Sequence, residues 1–250
     1  MPKNVLAAFD QGQLPSIACF NWASAALDPG LEVLVPALQK FVDRCVLPVW
    51  GTPARLSVSK AFVAGAWAMM FVDDADAENA LAYHDLTPDG FPLAKVFVRT
   101  ILKAKESLSV AASHELVEML VDPAVNLYSS GPDKKAMYAY EAADPVEALS
   151  FDLGGVRMTD FIYPSYFEIF RKPGSTRFDY LGRVGRPFQI LSGGYQIIFK
   201  NGKWQTLGSL AKQAALKHED RRQHRSEVRR HWRRIRRYPK RLERPRVRTR

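Results

Sequence analysis

Apolar residues recur at helical spacing through Leu34, Leu38, Phe41, Val42 and Cys45, which predicts a helix over 30–44, opened by Asp28-Pro29 and ended by Pro48. Short extended segments follow at 54–57, 66–72, 80–85 and 93–99, separated by the turn chemistry of Asp73-Asp74 and Thr87-Pro88-Asp89-Gly90. A second helix fits 109–121 and stops at Pro123. Beyond it the pattern alternates again at 137–141, and 148–160 reads as two strands folded at Gly154-Gly155. The strongest hairpin signal joins 195–200 to 203–207 through Asn201-Gly202, because Asn-Gly supplies the two positive φ angles of a type I′ turn. The order is thus a packing helix, short strands, an edge-like strand, a second helix, an acidic loop and C-terminal hairpins.

Charge divides the chain in two. Of 36 basic and 26 acidic residues, 17 and 4 lie within 211–250, which leaves 19 and 22 for residues 1–210. The body is therefore slightly acidic, and the overall +10 belongs to an arginine-rich tail. In that tail Val228, Trp232 and Ile235 form a narrow apolar stripe on a cationic helix that Pro239 and Pro245 end. Its residues Arg229, Arg230, Trp232, Arg233, Arg234, Arg236 and Arg237 are the candidates for binding nucleic acid without sequence preference, with an anionic surface or another subunit as alternatives. The chain's 47% apolar composition suits a buried core, and no apolar run reaches the roughly 20 residues that span a bilayer. No secretory signal pattern opens the chain, so the expectation is a cytoplasmic protein, with incorporation into a phage particle compatible with it. Cys19 and Cys45 are too few for a disulfide framework, and Cys45 reads as a core thiol. Neither Gly154-Gly155 nor Gly193-Gly194 has the strand-to-helix setting of a phosphate loop, and no nucleophile elbow is present.

Candidate chemistry concentrates in Ser113-His114-Glu115-Leu116-Val117-Glu118. On a helix His114 and Glu118 share one face, so an imidazole and a carboxylate can bind one divalent cation. Glu115 is then placed to act as a general base on a water, as in the H-E-x-x-H metallopeptidases. The plain alternative is a solvated helix face with an i, i+4 His–Glu hydrogen bond. His84, the only other histidine of the body, is either a further ligand or, with Tyr83, a substrate-binding residue on the edge strand; hydrogen bonding next to Asp85 is its ordinary role. Asp122 lies on the same helix side, although Asp before Pro usually caps or turns. The aromatic run of Phe161, Tyr163, Tyr166, Phe167 and Phe170 reads first as a core edge.

This arrangement resembles the N-terminal half of zincin metallopeptidases, in which an edge strand lies beside the metal-bearing helix and holds an extended substrate. The stretches at 82–90, 113–126, 140–147 and 160–164 also look like a family of uncharacterised bacterial and phage proteins, a resemblance covering about residues 38–204. The resemblance implies an α+β fold, a zincin-like domain with a short mixed sheet, a metal-site helix and C-terminal β-hairpins, followed by a basic helical or extended tail. It implies a third metal ligand downstream of the helix, for which Glu141 comes first, Asp144 close behind, and Glu147 after them. It implies one divalent metal, zinc by the fold, while the harder, more anionic set that results when Glu118 replaces a second histidine favours Mn²⁺, Ca²⁺ or no metal. The implied activity is metal-dependent hydrolysis of a peptide or protein, or a degenerate relative that has lost it. The alternative is a non-catalytic structural or accessory protein, such as a virion component, whose tail binds nucleic acid or another subunit.

Overall fold

In a computed structural model, residues 14–209 are described, apart from 64, 77–79 and 88. The basic tail, with every arginine and the tryptophan named above, lies outside the described residues.

The core is a five-stranded sheet built from β1 (Ser16–Asn21), β2 (Arg55–Val58), β3 (Trp67–Val72), β4 (Ala82–Leu86) and β5 (Pro92–Phe97), in the order β2-β1-β3-β5-β4. The first four in that order run parallel, and β4 pairs antiparallel with β5 at the sheet edge. β3 and β5 are buried along their whole length, as central parallel strands with covered faces must be. One face carries Ile17, Cys19, Met69, Phe71, Ala94 and Val96 toward the helices, and the other holds Phe20, Ala68, Met70, Leu93 and Phe97.

Three helices accompany the sheet. α1 (Leu31–Phe41) continues through a π-helical turn (Val42–Val46) and a last turn (Leu47–Trp50). This differs from the expected stop at Pro48. Pro48 is the second residue of that last turn, directly after the wider π-helical turn, and the helix ends instead at Gly51 with φ of +69°. α2 (Val98–Ala104) springs directly from β5, so the predicted strand over 93–99 ends two residues early. α3 (Leu108–Val121) matches the predicted second helix and is capped by Ser107, whose hydroxyl accepts from Val110 N.

Unlike an amphipathic surface helix, α3 is buried nearly all round. Beyond it, the antiparallel sheet β11-β10-β7-β6 comprises β6 (Tyr128–Ser130), β7 (Ala136–Ala139), β10 (Tyr195–Lys200) and β11 (Lys203–Gly208). A small hairpin joins β8 (Ser150–Asp152) and β9 (Arg157–Thr159). Its turn uses Gly154 and Gly155 at positive φ, and the β10–β11 turn uses Asn201 and Gly202 in the same way. β9 is tied to α3 by Ser113, whose Oγ accepts Thr159 N at 2.9 Å while donating to Val110 O. The described body is therefore mixed α+β with several sheets, and no helix among the described residues is long and apolar enough to cross a membrane.

Candidate metal centre

The middle of α3 places His114, Glu115 and Glu118 inside the protein, all buried, with Glu118 wholly inaccessible. Ionised groups at such depth need partners, because the loss of hydration is costly. Two neighbouring elements supply them. β4 presents His84 from the sheet edge, on the same face as Ala82, and the loop after β7 brings Glu141 and then Asp144, which starts a 3₁₀ turn (Asp144–Val146).

The contacts fall into two groups that share Glu118. On the outer side, His114 Nε2 lies 3.2 Å from Asp144 Oδ1 and 3.4 Å from Glu118 Oε1. On the inner side, His84 Nδ1 lies 3.4 Å from both Glu115 Oε2 and Glu118 Oε2, while His84 Nε2 lies 3.7 Å from Glu141 Oε2. Ligand atoms of His84, Glu115 and Glu118 all lie within 4.8 Å of one another, as do those of His114, Glu118 and Asp144. Each group could hold a metal ion.

The distances themselves bear on this. A charge-assisted hydrogen bond between imidazolium and carboxylate closes to about 2.7–2.9 Å. Four of the contacts are longer, at 3.2–3.4 Å. Ligand atoms held about 2.0–2.1 Å from a tetrahedral ion stand roughly 3.3–3.4 Å apart. Neither ring nitrogen of His84, nor Glu118 Oε2, makes a hydrogen bond, although each is fully shielded from water. The residues fit a cation better than they fit each other.

Electrostatics agree. Burial works against a charged His84, but Glu115, Glu118 and Glu141 outweigh it and hold its pKa well above the usual 6.5. His114 behaves alike: burial opposes its charge, and Glu118, Asp144 and Glu115 raise it well above the usual value. Burial also opposes the charge of Glu118, yet His114 and His84 keep it well below the ordinary range. Asp144 goes the other way. Burial and the Glu118 charge push it up to about 8 despite its contact with His114. Among the described residues no lysine or arginine pairs with Glu118 or Asp144, so the positive charge must come from the imidazoles or from a bound cation.

The scaffold is held locally. Glu118 Oε1 accepts Ala143 N at 3.2 Å, which fixes the acidic loop against α3. Gly194 packs on the Asp144–Pro145 backbone so closely that a Cβ there would stand 2.3 Å from Pro145 O. Asp122 caps the other end of the helix region by accepting Asn126 N and Leu127 N, apart from both groups.

His114, Glu115 and Glu118 converge, and both Glu141 and Asp144 reach the cluster. Asp144, ranked second, is the carboxylate that meets His114, whereas Glu141, ranked first, faces His84. Glu147 ends the 3₁₀ turn outside both groups. His84 is buried among carboxylates, while Tyr83 points to the opposite face of the sheet, against Phe97 and Lys95, so the two do not share a surface. The grouping of His84 with Glu115 had no sign in residue spacing, since it depends on β4 lying across α3. Elsewhere, Phe161, Tyr166 and Phe167 are core residues, and Phe170 is exposed. Both cysteines are buried and free, and burial pushes the Cys19 thiol up to about 12, which removes it as a nucleophile at neutral pH. No family model matches the chain, and no curated protein or solved structure matches it either.

Proposed function

We propose that the body is a metal-dependent hydrolase of zincin-like type, acting on an extended peptide, or a relative that keeps the site without the turnover. The observation that carries this reading is the outer group: His114, Glu118 and Asp144 offer one imidazole and two carboxylate atoms to one point. Its one member with some exposure is His114, whose side chain is 11% exposed, while Asp144 and Glu118 are at 2% and 0%. A catalytic site needs such access, with a position left for water or substrate. Zinc is the proposed ion, with Mn²⁺ and Ca²⁺ as the alternatives that a His-carboxylate set admits. The ion's contribution would be to polarise a carbonyl and ease the ionisation of water.

The chain's own residues then divide the work. His114, Glu118 and Asp144 hold the ion, and Ala143 N holds Glu118 in turn. Glu115, next to His114 on α3 but with Oε2 turned to His84 Nδ1 at 3.4 Å, would serve as the base for a water if only the outer group held an ion. β4 is the edge of the sheet and runs beside α3, so an extended peptide can add to it as a further strand. The basic tail localises the body rather than performing chemistry.

Hydrolysis of casein and of fluorogenic peptides, with zinc and with chelator, tests the reading. Zinc-dependent cleavage by the parent and its loss in His114→Ala support it. Equal activity in both, or none under any metal, removes the peptidase reading and leaves a non-catalytic accessory protein with a basic tail.

A further inference from the structure

The outer group uses one oxygen of Glu118, and most of the cluster remains unexplained by it. Glu118 Oε2 is buried without a hydrogen bond, and so are both nitrogens of His84, a residue 1% exposed. A buried histidine that were merely structural would donate one N–H at hydrogen-bond distance. His84 instead stands 3.4 Å from each of two carboxylate oxygens on its Nδ1 side, the spacing of neighbouring ligands around one small ion. Its far nitrogen, Nε2, faces Glu141 Oε2 at 3.7 Å. A carboxylate on that side orients a metal-bound histidine once the two close to hydrogen-bond distance.

The geometry points to a second divalent cation site, formed by His84 Nδ1, Glu115 Oε2 and Glu118 Oε2 and joined to the outer site through Glu118 as a bridging carboxylate. The inference rests on the metal reading of the outer group and extends it. Glu118 is suited to the bridge because its two oxygens are already divided, Oε1 toward His114 and Oε2 toward His84. Two ions sharing a carboxylate stand about 3.5–4 Å apart, the separation of two-metal hydrolytic centres. The inner site is closed, with all three ligands buried, whereas the outer one approaches solvent at His114. Charge favours the pair: Glu115, Glu118, Glu141 and Asp144 give four carboxylates against two imidazoles, so two divalent cations leave neutral histidines and a balanced site. With both ions bound, Glu115 is a ligand and no longer a base. His84 changes from a candidate substrate contact to the residue that brings the inner ion to the sheet edge, and Glu141 becomes its positioning residue.

Manganese serves as the probe. The metal-free 250-residue chain is dialysed against Mn²⁺, bound metal is counted, and the low-temperature EPR spectrum is recorded. The parent should hold one more equivalent than His84→Ala, a difference that cancels whatever His218, His224 and His231 of the tail take up. Its spectrum should show the many-line pattern of an exchange-coupled pair. Glu115→Gln, nearly the same shape as the parent, should lose the same equivalent, which guards against a misfolded alanine variant. A single equivalent in the parent, lost in His114→Ala and kept in both His84→Ala and Glu115→Gln, with an uncoupled spectrum, overturns the second site and leaves the hydrolase reading standing. No bound manganese or zinc in the parent overturns both.

Discussion

Replacing Glu118 by glutamine removes the one charge that both halves of the cluster share. The amide keeps the shape and can still accept the Ala143 N–H, so little but charge changes. Glu118 Oε1 lies 3.4 Å from His114 Nε2, and its Oε2 lies 3.4 Å from His84 Nδ1. With an effective dielectric near 20, each contact with an imidazolium is worth about 5 kcal/mol before desolvation. Removing one partner of a buried pair costs about 3–5 kcal/mol net. For a body of this size that lowers Tm by roughly 6–20 °C, at about 2–4 °C per kcal/mol. The pH dependence has a definite sign. Both histidines are raised above 6.5, so their stabilisation is complete below that pH and is lost as pH climbs through their folded values. Glu118 is depressed, so its share is present above 4.5 and lost as pH falls through its folded value. Asp144 is pushed up to about 8 from 3.8, which erodes stability as pH rises between those values. The gap between parent and Glu118→Gln should therefore be widest between pH 4.5 and 6.5 and narrow in alkali. Zinc at a thousand times its Kd should add about 4 kcal/mol to the parent and little to the variant. Scanning calorimetry across this pH range, with and without zinc, reads both effects. A variant with the parent's Tm near pH 6 and the parent's zinc response would refute the assignment of Glu118.

Two other outcomes are expected. Gly194→Ala should drive the Asp144–Pro145 turn away from α3, because its Cβ would sit 2.3 Å from Pro145 O and 2.9 Å from Asp144 O; a loss of about 1–3 kcal/mol with weaker zinc binding is predicted, measured by chemical denaturation and calorimetric titration. Removing residues 211–250, whose net charge is +13, should abolish retention on DNA or RNA at low salt while leaving the body's metal content unchanged, as read by gel shift and metal analysis.

Elements are legible in the sequence where their chemistry is local. Asn201-Gly202 and Gly154-Gly155 announce their hairpins through positive φ, and α3 follows from its apolar content and its Pro123 stop. Elements that tertiary structure decides are not. α2 is hidden because Val98 prolongs the apolar run of β5, and only the fold shows that the chain turns helical after Phe97. β1 has only four buried residues, too short a run to stand out in the sequence, although it lies inside the sheet between β2 and β3. At the site, helical spacing was enough to pair His114 with Glu118. Choosing between Glu141 and Asp144 required the path of the loop, and joining His84 to Glu115 required the position of β4 across α3, neither of which is encoded in spacing.

The central claim is that the buried histidines and carboxylates around Glu118 form a metal centre. Elemental analysis of the chain, purified without chelators and dialysed into metal-free buffer, tests it most directly, with His114→Ala beside it. The account predicts stoichiometric zinc or manganese in the parent and a clear loss in the variant. No stoichiometric metal in the parent, or an equal amount in both, would contradict it.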